Sequence, residues 1–363
     1  MRIIYDNIIY SLQKSGGGSI YWAELSKRLN RWKEGKVIFY DQKEPNENIA
    51  RKDLEFTNLK IEKFLTLKIR RYLNFTEPIL QKSIFHSSYF RISKSPNAIN
   101  VTTIHDFTTE KFRKGLARRV NLWQKKYAVK HSQGIVCISE NTKRDLLAFI
   151  PEVDEKKVRV IYNGISDDFF HIEQPFTIAT KDAKFEGLEN RKYLLYIGHR
   201  TSYKNFELAL EAVALVQERY KLVVVGEPFT KREKKKVEVL GNRCVQLSKL
   251  NNKQLNYLYN NAFALLYPSS YEGFGIPVAE AMKTGCPVIA FNKSSIPEVA
   301  GEAALLYDDI SMESIVDGID RLEDEELREV MIKKGFRQSE RFSWDDAFEK
   351  YMSFYDELYN KEV

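Results

Sequence analysis

Short runs of β-branched and aromatic residues alternate, all along the 363-residue chain, with longer stretches whose apolar residues recur every three or four positions. The runs are RIIYD, KVIFYD, SIFHSS, INVTTIHD, GIVCIS and VRVIYNG in the first half, then YLLYIG, KLVVVG, CVQLS, AFALLYPS, PVIAF and ALLYD in the second. Alternation of this kind predicts α/β units around parallel sheets. Between the two sets lies DDFFHIEQPFTIATKDAKFEGLENRK, polar and without clear period, as expected of a connection. The pattern therefore predicts two doubly wound domains, 1–172 and 191–340, joined by a linker at 173–190. The last stretch, 341–363, reads as a helix with Trp344, Phe348, Met352 and Tyr355 on one stripe. In doubly wound sheets ligands bind beyond the C-terminal ends of the strands, so two facing sheets would enclose an interdomain cleft.

Polar residues just after the predicted strands are thus the candidates for chemistry. Gly16, Gly17 and Gly18 in SGGGSIYWAELSKRL stand before a helix, where close backbone approach and free N–H groups suit a phosphate; a plain flexible turn is the alternative. His105 and Asp106 end a strand in TIHDF, as a functional pair or as satisfied structural residues. Gly198 ends the first strand of the second half, with Arg200 and Lys204 in the loop that follows. Two cations beside a helix N-terminus suit a diphosphate, because each charge-assisted hydrogen bond contributes roughly 1.5–3 kcal/mol; two solvated loop cations are the alternative. In YEGFGIPVAE, Glu272 lies in a glycine turn and Glu280 about two helical turns further on, inside a helix with Pro277 in its first turn. An acid and base pair, a solvated pair, and two contacts to different parts of one long ligand are all open; the apolar company of Phe274, Ile276, Val278 and Ala279 weighs against the solvated pair.

Composition and charge add the class and one partner. The length suits about two domains of roughly 150 residues; 43% apolar and 29% charged residues are those of an ordinary globular protein. No run of about 18 uncharged apolar residues occurs, and the opening stretch has neither the apolar core nor the cleavage site of a signal peptide, so a cytoplasmic protein is expected. Cys137, Cys244 and Cys286 lie apart in apolar stretches and read as buried, reduced thiols, without metal-ligand spacing. Residues 60–130 hold 16 Lys or Arg against 4 acids, an excess of 12, so the remainder is acidic by 5 for a net charge of +7. This is a solvated face, or a surface for an anionic partner, either a membrane leaflet or nucleic acid. FRKGLARRVNLWQKKYAVK spaces Phe112, Leu116, Val120 and Trp123 at helical intervals with Lys and Arg between them. A basic amphipathic helix of that kind favours peripheral attachment to an anionic membrane surface over nucleic acid.

The segment YEGFGIPVAEAMKTGCPVIAFNKSSIPEVAGEAALLYD resembles the Glu, seven residues, Glu motif of retaining glycosyltransferases of the GT-B fold, in family four, which includes bacterial mannosyltransferases. SGGGSIYWAELSKRL is similar to the glycine loop of that family, VTTIHDF to its His-Asp loop, CISENTKRDL and VIYNGIS to the strands before the linker, and YIGHRTSYKNFELALEA to its basic loop. The resemblance implies two facing Rossmann-like domains with the site in the cleft. It also implies roles: Glu272, with backbone N–H groups of Gly273, Phe274 and Gly275, on the transferring sugar; Ile276 among the donor-binding residues; Glu280 on the ribose; Arg200 and Lys204, beside Gly198, on the diphosphate; Gly17 and Gly18 closing over that diphosphate; and His105 near the reacting sugar and acceptor. Leu250 falls in the loop expected to contact the base, where Ser248 replaces the usual glycine. The final helix would brace the first domain. A nucleotide sugar is implied as donor, GDP-mannose favoured and a UDP-sugar as alternative, with a cell-surface glycan or lipid-linked saccharide as acceptor. No metal or other cofactor is expected, since cations and helix N–H groups can stabilise the leaving diphosphate and no Asp-x-Asp stands at a strand end. The implied reaction is metal-independent, front-face hexosyl transfer at the inner face of the cell membrane; the competing reading is a non-catalytic nucleotide-sugar-binding or scaffold protein on the same fold.

Overall fold

The computed structural model describes residues 1–42, 47–62, 67–173, 185–188 and 190–361. It divides into two compact units, Met1–Gly164 with Ser343–Val363, and Ile165–Phe342. Most of the stretch predicted as a linker, 174–184 with 189, lies outside the described residues.

The first unit is built on β1 (Arg2–Asp6), β2 (Lys36–Gln42), β3 (Leu59–Glu62), β4 (Ser83–Ser87), β5 (Ala98–Ile104), β6 (Gly134–Cys137) and β7 (Val158–Val160), all parallel in the order β3-β2-β1-β4-β5-β6-β7. Chain order reverses between β1 and β4, so the loops after these two strands flank the switch point of the sheet. β4 and β6 are buried throughout, which is why SIFHS and GIVC are apolar or small apart from His86, whose ring nitrogens bond Tyr355 and Thr103. Hydrophobic patterning does not predict β3. It is an edge strand whose first three residues are exposed; only Glu62 is buried, held by the guanidinium of Arg91, which also binds Asp6.

The second unit has β8 (Tyr193–Ile197), β9 (Lys221–Val225), β10 (Cys244–Leu247), β11 (Ala264–Tyr267), β12 (Val288–Phe291) and β13 (Leu305–Tyr307), again all parallel, in the order β10-β9-β8-β11-β12-β13. Its switch point lies between β8 and β11. Leu194, Tyr196, Leu222, Val224, Leu266 and Ile289 of this sheet pack with Leu210, Val213, Ile315 and Ile319 of neighbouring helices into one buried cluster.

Two helical expectations are corrected. The stretch 112–130 is not one helix: Thr108–Phe112 and Leu116–His131 are separate, broken at Gly115, whose φ of 73° and ψ of −150° are open to glycine and not to a helix. In the last helix, Trp344–Asn360, the buried stripe is Trp344, Ala347, Tyr351, Phe354, Tyr355 and Leu358, while Phe348 and Met352 are half-buried at its margin. That helix lies against β6 at a glycine: a Cβ on Gly134 would stand 2.5 Å from Leu358 and 2.9 Å from Phe354. Tyr355 also bonds Tyr5 of β1, at 2.9 Å, and Nδ1 of His86 in β4, at 2.5 Å. Among the described residues no helix is long and apolar enough to cross a membrane.

Candidate active site

The loops at the switch point of the second sheet bring Lys204 and Glu272 together, while Gly198 lies beside Gly226 on the Arg200 side. β8 is followed by Gly198, whose φ of 126° is a glycine conformation that turns the chain out of the strand. A 3-10 turn, Ser202–Lys204, then leads to Asn205 at φ 49°, ψ 41° and to the helix Phe206–Leu215. Asn205 Nδ2 donates to Pro268 O at 2.8 Å and Ser270 N donates to Tyr203 O at 2.8 Å, so the loops after β8 and β11 are tied to each other. The Lys204 ammonium pairs with the Glu272 carboxylate, with the Tyr267 hydroxyl 3.4 Å away.

Glu272 is held from the backbone as well. Its N–H donates to Ser294 Oγ at 3.0 Å, and its carbonyl accepts from Ser294 Oγ at 2.6 Å and Ser295 Oγ at 3.0 Å. Ser295 Oγ is also 2.9 Å from Phe274 O, while the Phe274 ring is buried edge-on to Phe342, so this residue offers the site its backbone only. Gly275, at φ 102°, caps the helix Ile276–Thr284, and Pro277 stands in the first turn. Gly273, Gly275 and Ile276 thus line the turn between Glu272 and the helix start. Glu280 points elsewhere: its Oε2 accepts from the Tyr259 hydroxyl at 2.8 Å. Burial pushes its carboxyl up to about 8, although that hydrogen bond lowers it.

Arg200 does not join Lys204. Its Nε donates to Glu233 at 2.7 Å and its Nη2 to the carbonyl of Glu227 at 2.8 Å, on the β9 side of the loop. Leu250 is half-buried in the loop after β10, just before Asn251, which caps the helix Asn252–Asn261. In the first unit, Gly16 caps the helix Gly17–Arg31; a Cβ on Gly17 meets nothing in its own unit, and one on Gly18 comes within 3.6 Å of Gln13. Three residues after Gly18, the Tyr21 ring packs edge-to-face with His105, with centroids 4.7 Å apart, so the glycine-loop helix backs the histidine at the end of β5. Burial holds the His105 imidazole down to about 4, and Asp106 raises it less than burial lowers it. It is therefore neutral near pH 7. Lys125, buried, pairs with Glu110 at 2.7 Å and donates to Asp106 O at 2.7 Å, which fixes the loop after His105.

Sequence reasoning missed Glu233, Tyr259, Ser294 and Ser295. Thr230-Lys-Arg-Glu233 was a legible signal, since it is a capping box in sequence and in structure. The two serines follow β12, again at a strand's C-terminal end. Tyr259 carried no signal, because a tyrosine on an amphipathic helix reads as core. Among the described residues no group of three or more His, Cys, Asp or Glu is placed to hold a metal.

Two family descriptions match this chain in tandem: Glycosyltransferase Family 4 over residues 15–169 and Glycosyl transferases group 1 over residues 178–338. The chain belongs to the group 1 glycosyltransferases and has the GT-B fold. It is 35% identical over 166 residues to O-antigen chain mannosyltransferase B of Escherichia coli, covering 43% of each chain, and 29% identical over 206 residues to O-antigen chain mannosyltransferase RfbU of Salmonella typhimurium, covering 55% of this chain and 54% of that one. The matched stretches thus span about half the length of these relatives. In fold it is similar to sucrose-phosphate synthase from Thermosynechococcus elongatus, with a TM-score of 0.75, 18% identity and 99% of both chains covered. It is also similar to Anabaena HepE in complex with UDP and glucose, with a TM-score of 0.73, 15% identity, and 97% of this chain and 98% of that one covered.

Proposed function

We propose that the protein is a retaining glycosyltransferase that moves a hexose, mannose in the favoured case, from a nucleoside-diphosphate sugar to a cell-surface glycan or lipid-linked saccharide. The observation that carries this reading is the Lys204–Glu272 pair at the switch point between β8 and β11, beside the helix start at Ile276. The pair holds one charge suited to a phosphate and one suited to sugar hydroxyls, at the place where such sheets bind ligands. When the donor enters, its diphosphate takes Lys204 and its sugar takes Glu272. The acceptor oxygen then bonds to the sugar's anomeric carbon on the face from which the nucleoside diphosphate departs. The broken bond's electron pair goes to the phosphate oxygen, and the acceptor's proton follows to the leaving diphosphate. Lys204 and backbone N–H groups stabilise the developing charge, so neither a metal nor an enzyme nucleophile is assigned a part. His105, neutral, lines the acceptor side. The two mannosyltransferase relatives support mannose as the sugar, and GDP-mannose is the favoured donor of this reading; the UDP complex of HepE keeps a UDP-sugar as the alternative. An anionic membrane surface is assigned as partner through residues 60–130, and nucleic acid is not.

Transfer assayed with GDP-mannose and UDP-sugars, in wild type and two variants, tests the assignment. Glu272→Ala should lower kcat by a factor of about 100 or more, on the order of the 2.7–4 kcal/mol of a lost transition-state contact. Glu280→Ala should mainly raise the donor KM. The reverse pattern, or a glycosyl adduct trapped on Glu272, would overturn these roles.

A further inference from the structure

We propose that Glu233 is a positioning residue of the diphosphate site, acting through Arg200. The inference rests on the proposed donor site and adds to it a residue that touches no part of the donor.

Arg200 is gripped along one edge. Nε donates to Glu233 Oε1 at 2.7 Å, Nη2 donates to the carbonyls of Glu227 at 2.8 Å and Pro228 at 3.2 Å, and the guanidinium lies 4.9 Å from the centre of the Phe229 ring. Nη1 is different: it is buried and has no partner among the described residues. Its place is marked by Gly226, where a Cβ would stand 3.3 Å from Nη1 and 2.8 Å from Gly198 O. The unpaired nitrogen therefore sits beside the C-terminal ends of β8 and β9, next to the glycine that opens the basic loop. A phosphate oxygen entering beside Gly198 would supply the acceptor that Nη1 lacks.

Glu233 is itself fixed, which distinguishes it from a loose surface acid. Thr230 donates to its Oε2 from both N and Oγ1, each at 2.7 Å, within the capping box of the helix Lys231–Val237. Against the upward push of burial, the hydrogen bonds from Arg200 and Thr230 hold its carboxyl down to about 2, so the clamp is charged throughout the physiological range. The two ion pairs of this unit's site consequently differ in kind. Lys204 is paired with Glu272, which the donor sugar engages, so that pair changes partners on binding. Arg200 is paired with a helix cap outside the sugar's reach, so that pair persists. A guanidinium held in this way has already lost its rotamer freedom on folding and meets a planar anion in one orientation.

The test uses the full chain and calorimetric titration with GDP, UDP and the matching nucleosides. Glu233→Gln should weaken nucleoside-diphosphate binding roughly tenfold or more, the size of a charged hydrogen bond lost, and leave nucleoside binding unchanged. Thr230→Val, which strips one of the two donors steadying the carboxylate and leaves Arg200 and Glu233 in place, should give a smaller loss of the same kind. Adding Glu233→Gln to Arg200→Lys should cost little beyond Arg200→Lys alone, because both act through one guanidinium. Diphosphate affinity within about twofold of wild type in a folded Glu233→Gln protein, an equal loss for the nucleoside, or fully additive losses in the double variant would each overturn the proposal. Folded wild type that binds neither diphosphate sinks the donor site, and this inference with it; wild-type binding with an indifferent variant sinks this inference alone.

Discussion

Glu280 is the residue whose ionisation should be visible in binding. Its carboxyl stands at about 8 in the folded protein against an ordinary 4.5, because burial disfavours the charged form. The folded state therefore holds this proton more tightly than the unfolded one. Its contribution to stability is full below about pH 4.5 and is lost as pH rises through 8. In the proposed complex the ribose hydroxyls donate to this carboxyl, which favours the ionised form. Donor binding at pH 7 should therefore release close to one proton, and affinity should rise between pH 7 and 9. Glu280→Gln should abolish both effects. Titration calorimetry in buffers of differing ionisation enthalpy measures the proton directly, and identical proton counts for wild type and variant would refute the ribose contact.

At the scale of elements, the helix Leu116–His131 has two faces that differ in burial and charge. Its inner face holds Gln124, Ala128 and Val129, and through Lys125 it fixes the Asp106 loop. Its outer face leaves Leu116 76% and Trp123 54% exposed, with Phe112 of the preceding short helix at 43%, amid Arg113, Lys114, Arg118, Arg119 and Lys126. Large apolar side chains so exposed and so fringed with cations fit an interface of lipid and water. The break at Gly115 leaves Phe112 and Leu116 on different helices, so the surface is wider than a single stripe. Full-chain protein should float with anionic vesicles at low salt and detach as salt rises. Leu116→Ser with Trp123→Ser should reduce partitioning at least about tenfold, since burying each such side chain contributes about 1.5–3 kcal/mol. Equal flotation of variant and wild type would exclude the membrane as a partner of this surface.

For the whole molecule, two units with separate cores imply separate responses to ligand. Arg200, Lys204, Glu272 and Glu280 all belong to Ile165–Phe342, whereas the glycine loop and His105 belong to the other unit. A nucleoside diphosphate at about 100 times its Kd should stabilise the unit that binds it by about 2.7 kcal/mol. In calorimetric unfolding this should raise the transition of Ile165–Phe342 and leave that of the first unit in place. Equal shifts in both would show that the two unfold as one.

Local pattern was enough to define the strands that run through the middle of each sheet. VIAF in β12 or GIVC in β6 must be buried between helices whatever their neighbours, and their apolar runs announce it. The same pattern marked the strand ends where Lys204 and Glu272 stand, because a turn and a helix start have local signatures in glycine, proline and charge. Other features depended on how the chain folds back on itself. β3 is paired to β2 and anchored by Arg91, far off in sequence, which holds Glu62 inside. The stripe of the last helix turned on which side chains could lie over Gly134. Arg200 and Lys204, four residues apart in one loop, went to Glu233 and Glu272, carboxylates 33 and 68 positions away. Spacing along the chain tells which charges are near a site; which charge meets which depends on the path of the strands between them.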